Sequence, residues 1–155
     1  MTWSKVMRTV GAVAIGIACA TGTPPAMGAS RADNIKVVRN DFGGRIRIRA
    51  AEVARLADAG IRVEIRGRSC LSSCTMYLGL PDTCVEPKTS FGFHAPSFYG
   101  AKLSARDFKY WSNVIASHYP EPIRSWYLKT ARDTTTGFHR ISGENLIKMG
   151  FQQCD

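Results

Sequence analysis

The chain has 155 residues, 45% of them hydrophobic, and a formal net charge of +9. That length supports one domain with a real core and leaves no room for two. The basic residues are dispersed rather than clustered and no nucleic-acid-binding module is present, so the charge reads as a solvated surface and nucleic acid is not expected as a partner.

In chain order, Lys5 and Arg8 precede an uncharged run from Thr9 to Ser30, apolar at first and then broken by Gly and by Pro24-Pro25. This is a signal-peptide pattern covering residues 1–29, with cleavage points between 28 and 32, and it leaves a single domain over 30–155. The apolar part, Val10 to Ala20, falls short of the roughly 20 apolar residues that a membrane span needs, so no stable span is expected once the leader is removed. Cys19 follows Gly16-Ile17-Ala18, a poor match to a lipidation site. A periplasmic or secreted protein is the expectation.

Removal of the leader leaves Cys70, Cys74, Cys84 and Cys154, an even set that in an exported domain suggests disulfides. Their pairing stays open. Cys70 with Cys74 is the least expected pair, because a bond between a strand end and the first turn of a helix would strain the turn between them.

Ile35 to Arg39 predicts a strand that ends at the turn-rich Asn40-Asp41-Phe42-Gly43-Gly44. A helix is predicted over Ala50 to Ala59, with Val53, Leu56 and Ala57 at helical spacing and Gly60 as its stop. Arg45 to Arg49 alternates with period two and can be read as the second arm of a hairpin; a loop into the helix is preferred, since Ala50-Ala51-Glu52 continues helically without a break. Ile61, Val63 and Ile65 predict a second strand that runs into Gly67 and the Ser72 turn, making a parallel crossover. The apolar stretch from Cys74 to Leu80 is helix-compatible and closed by Pro81-Asp82. Short strands follow at Cys84-Val85 and Phe91 to Phe93. Helices are expected over Ala105 to His118 and from near Pro122, their aromatic residues serving core or interface. Ser142-Gly143-Glu144 opens a last short helix ending at Gly150, and Phe151 begins a terminal extended segment.

The segment Ser69-Cys70-Leu71-Ser72-Ser73-Cys74-Thr75 places a serine at a strand-to-helix turn. There a hydroxyl is exposed beside the free N–H groups of a helix start, which is how acyl-transfer sites hold a nucleophile near an oxyanion. The plainer reading is that these hydroxyls cap a buried helix. His94 leaves a strand into a loop and can take a proton from such a serine. Gly43-Gly44 lets a backbone N–H turn outward toward a ligand.

The ordered set resembles the proteolytic subunit of Clp proteases and, more widely, the Clp/crotonase superfamily. Asn40-Asp41-Phe42-Gly43-Gly44 is similar to that family's Asn-Ser-Pro-Gly-Gly, Leu71 to Thr75 to its Ala-Ser-Met-Gly-Ala, and His94-Ala95-Pro96 to its His-Gln-Pro. Ser142 to Leu146 with Gly150-Phe151 resembles its closing Ser-Ala-x-Glu-Ala…Gly-Leu segment. The resemblance spans residues 35 to 153. It implies an α/β fold, a repeated β-β-α/βαβ spiral of mostly parallel strands with flanking helices. It also implies a serine hydrolase acting on peptide bonds, with Ser72 as nucleophile, His94 as base and the N–H groups of Gly44 and Ser73 as oxyanion hole. No metal or other cofactor is implied. The family's aspartate falls where this chain has Gly137-Phe138, and Asp133 is the nearby candidate for the third member. Family members work in rings, so a homo-oligomer is implied, with peptide or protein as substrate.

Two other readings follow from the residues. Without the third member, the same fold can serve as a peptide-binding or assembly module. Cys70 and Cys74 as thiolates with His94 would suit copper.

Overall fold

The computed structural model describes residues 34–155; the signal-peptide reading and Cys19 lie outside them. The chain is mixed α/β. A four-stranded sheet, in the order β1 (Ile35–Val38), β2 (Arg62–Ile65), β4 (Thr83–Val85), β7 (Gln152–Gln153), is parallel throughout. A three-stranded sheet has β5 (Ser90–Phe93) at its centre, parallel to β3 (Ser69–Leu71) and antiparallel to β6 (His139–Ser142). After β1 and its crossover helix, the chain twice takes a strand of the first sheet, a strand of the second and then a helical segment.

Among the described residues, four α-helices flank the sheets: α1 (Ile46–Asp58), α2 (Ala105–Ala116), α3 (Ile123–Lys129) and α4 (Gly143–Lys148). No helix among the described residues is long and apolar enough to cross a membrane. α1 begins four residues earlier than expected, and neither the hairpin nor a loop forms over Arg45 to Arg49. Ile46, Ala50, Val53 and Leu56 fall on one helical face against the core, which outweighs the local period-two pattern. α2 is capped by Ser104, whose hydroxyl accepts from Asp107 N, and α4 in the same way by Ser142 from Asn145 N.

The stretch after Ser72 is a 3₁₀ helix, Ser72–Gly79, rather than an α-helix. It runs through the core, with Met76, Tyr77 and Leu78 all but inaccessible. The same core cluster includes Val63 and Ile65 of β2, Leu56 of α1, Ile123 of α3 and Leu146 of α4. The second strand does not run on into the Ser72 turn as expected: β3 is a separate strand in the smaller sheet, and β6 was not expected; each is short and lies at an edge of that sheet.

The cysteines pair as Cys70–Cys74 and Cys84–Cys154, with Cα atoms 5.3 and 4.9 Å apart. The first pairing corrects the expectation that a bond across Ser72 is disfavoured. Ser72 takes a left-handed conformation (φ +55°) and the chain then tightens into a 3₁₀ turn, which brings the two α-carbons within the ordinary disulfide range. The second bond ties the terminal segment to β4. Two disulfides fit an oxidising compartment.

Candidate active site

Two loops and one strand end meet at Ser72. The first is Asn40 to Gly44, which follows β1 and is registered against β3: Asp41 N donates to Ser69 O (3.0 Å), and Leu71 N donates to Asp41 O (2.8 Å). The Asp41 side chain turns the loop, accepting from Gly43 N at 2.8 Å and from Arg49 Nη2 at 2.5 Å. Arg49 also donates to Glu52 Oε2 and to Tyr77 OH, so α1 and the 3₁₀ helix hold the same guanidinium. Gly43 and Gly44 both have positive φ (+95° and +154°). Gly43 lies so close to Ser72 that any side chain would displace one of them, since a β-carbon there would be 2.5 Å from Ser72 Cβ.

Ser72 itself carries backbone strain. A left-handed residue other than glycine costs about 1–2 kcal/mol, and here the surroundings impose it. The Cys70–Cys74 bond brackets it, and its carbonyl accepts from Thr75 Oγ1 at 2.7 Å. Thr75 Oγ1 in turn lies 2.6 Å from Tyr119 OH. With the Thr75 hydroxyl proton directed at Ser72 O, Tyr119 is the donor in that second bond, and burial raises its pKa so that it stays protonated. Strained residues held in this way cluster at functional sites.

His94 follows β5 directly. Its Nε2 lies 2.7 Å from Ser72 Oγ, and both side chains are half-buried. Its carbonyl accepts from Tyr127 OH (3.3 Å), and the Phe138 ring meets the imidazole edge-on at 5.1 Å. Behind it, Phe93 packs edge-on against Tyr119 and Trp126. Burial holds the His94 pKa below the ordinary imidazole value of 6.5, with a backbone contact at Ala95 acting in the opposite direction. The imidazole is therefore neutral near pH 7 and can accept a proton.

Ser72, Ser73, Gly44 and His94 line one cavity of about 740 Å³. Gly44 and Ser73 are the two residues expected to supply oxyanion donors. Ser73 is the second residue of the 3₁₀ helix, where an N–H has no intrahelical acceptor, and its Oγ is buried without a partner. The Gly43 N–H is used by Asp41, whereas Gly44 is exposed.

Asp133 is not joined to this pair. It is exposed, at the end of the short 3₁₀ turn Ala131–Asp133, and shares with His94 and Phe138 the wall of a second cavity of about 390 Å³. Among the described residues no carboxylate is hydrogen-bonded to the His94 ring. Cys70 and Cys74, being bonded to one another, offer no thiolates, which corrects the copper reading. Sequence reasoning missed Asp41, Thr75, Arg49, Tyr119 and Tyr127 as supports of the site. The first two stand inside quoted motifs, while the other three carry no local signal.

No family model matches the chain, and no curated protein matches it.

Proposed function

We propose that this protein is an exported serine hydrolase of the Clp/crotonase kind, acting on peptide bonds in the periplasm or outside the cell. The observation that carries this reading is the 2.7 Å contact between Ser72 Oγ and His94 Nε2, made at a strained turn facing a cavity. The alternation of the chain between a parallel sheet and a smaller mixed one, with Ser72 and His94 each placed directly after a strand of the smaller one, supports the fold assignment.

In the proposed reaction His94 Nε2 accepts the Ser72 hydroxyl proton as Oγ attacks the substrate carbonyl. The oxyanion formed is received by the N–H groups of Gly44 and Ser73. His94 then delivers its proton to the leaving amine, the C–N bond breaks, and an acyl-Ser72 ester remains. Water attacks that ester with His94 again as base, releasing the acid and restoring the hydroxyl. Arg49, through Asp41, positions the Gly43-Gly44 loop. The exposed faces of α2 and α3 are assigned to self-association.

Steady-state hydrolysis of short activated peptide esters tests this: turnover by the wild-type protein and none above background by Ser72→Ala is the expected result. Equal turnover by both proteins would end the proposal. A peptide-binding module without chemistry is the second reading, favoured by one observation: Phe138, not a carboxylate, flanks the His94 ring.

A further inference from the structure

The cavity in front of Ser72 is uneven in its chemistry. Its interior is formed by Phe93, Ile115 and Tyr119, all buried, with Trp111 beside them, whereas Phe98 and Tyr99 at its rim are 67% and 82% exposed. The charged residues lining it are Arg45 and Arg47, and neither Asp nor Glu lines it. Neither arginine makes an ion pair among the described residues. Arg45 Nη2 reaches Tyr99 OH at 3.4 Å, and the Arg47 guanidinium lies 5.9 Å from the centre of the Trp111 ring. By contrast, Arg49, Arg62 and Arg66 each hold a carboxylate.

Two uncompensated guanidinium groups beside an apolar hollow concentrate positive potential there and repel cations. Residues two apart at a helix start do not face each other, and these two indeed diverge, one toward Tyr99 and the other toward Trp111. They are placed to meet carboxylates at separate points along a chain, rather than to converge on a single headgroup. A volume of about 740 Å³ exceeds what one side chain fills. We propose that this cavity takes a peptide segment with a large apolar residue in the aromatic interior and an adjacent Asp or Glu against Arg45 or Arg47. The inference rests on the hydrolase reading for the fate of the peptide, but not for its binding.

Binding is measured with Ser72→Ala protein, so that nothing is cleaved. Fluorescein-labelled peptides with a central Phe flanked by Asp, Asn or Lys are titrated by anisotropy. The Asp-flanked peptide should bind about tenfold more tightly than the Lys-flanked one, as two exposed charge contacts allow, and the gap should narrow as salt rises. The double variant Arg45→Glu/Arg47→Glu in the same background should reverse the order, and its far-UV circular dichroism shows whether it is folded. Equal affinities, an order unchanged by the double variant in folded protein, or binding to anionic vesicles in place of any peptide overturns the inference. If wild-type protein fails to react with a fluorophosphonate while the binding order holds, the hydrolase reading falls and this one stands. The converse pattern removes only this one.

Discussion

Gly43 packs directly against Ser72: a β-carbon on Gly43 would lie 2.5 Å from Ser72 Cβ and 3.0 Å from its Oγ. Gly43 also has φ +95°, which L side chains rarely adopt. Gly43→Ala therefore has to move either the loop that carries Gly44 or the serine. A displacement near 1 Å at a reacting group costs on the order of 10²-fold, so the rate of Ser72 modification by a fluorophosphonate should fall by about that factor. Overpacking should cost about 1–3 kcal/mol in a denaturant melt.

The two disulfides should separate stability from reactivity. Cys84–Cys154 closes a separation of 70 residues and Cys70–Cys74 one of only 4, and loop-entropy stabilisation grows with loop length. Replacing Cys84 and Cys154 by Ala should cost more stability, about 2–5 kcal/mol, while leaving Ser72 reactivity near wild type. Replacing Cys70 and Cys74 should cost less stability but lower reactivity about tenfold or more, because Ser72 loses part of what holds it left-handed. Melts and labelling rates on both double variants check this.

Asp133→Asn should change the labelling rate by less than about threefold, since no hydrogen bond joins Asp133 to His94 and the residue is exposed. A working triad aspartate would be worth on the order of 10⁴ in rate, so a loss of that size would restore Asp133 as the orienting group.

Burial lowers the His94 pKa. In the proposed reaction the neutral ring is the base, so reactivity should rise with pH along an acid limb whose midpoint lies below 6.5. A carboxylate on the ring would move the limb upward instead. The same shift acts on folding. The unfolded chain takes up the proton at the ordinary pKa and the folded one only at a lower pH, so the contribution of His94 to stability is fully present above 6.5 and is lost as pH falls from there through the lower folded-state pKa. Labelling rates and melts across about pH 4 to 8 measure both.

The strands β1, β2, β4 and β5 and the four helices were legible because each carries a hydrophobic period or a cap of its own. β6 was not, and β3 was read only as the run of the second strand into the Ser72 turn: Ser69 to Leu71 is a strand of the other sheet because Ser90 to Gly92 pairs beside it, a long-range fact. The start of α1 was hidden for the same reason, since Arg45 to Arg49 alternates locally but packs as a helix. The chain order of Gly43-Gly44, Ser72 and His94 was visible, and the structure brings Gly44, Ser72 and His94 to one cavity, with Gly43 against Ser72. The Cys70–Cys74 bond was misjudged because it depends on the sign of one dihedral angle, at Ser72, that no local pattern declares.

The central claim is that Ser72 is a nucleophile activated by His94. Reaction of folded protein with a fluorophosphonate at neutral pH, with the adduct located by peptide mass spectrometry, tests it most directly. The account predicts one adduct, on Ser72, absent in Ser72→Ala and formed about 10² to 10⁴ times more slowly in His94→Ala. No adduct on folded wild-type protein, or one that persists in Ser72→Ala, would contradict it.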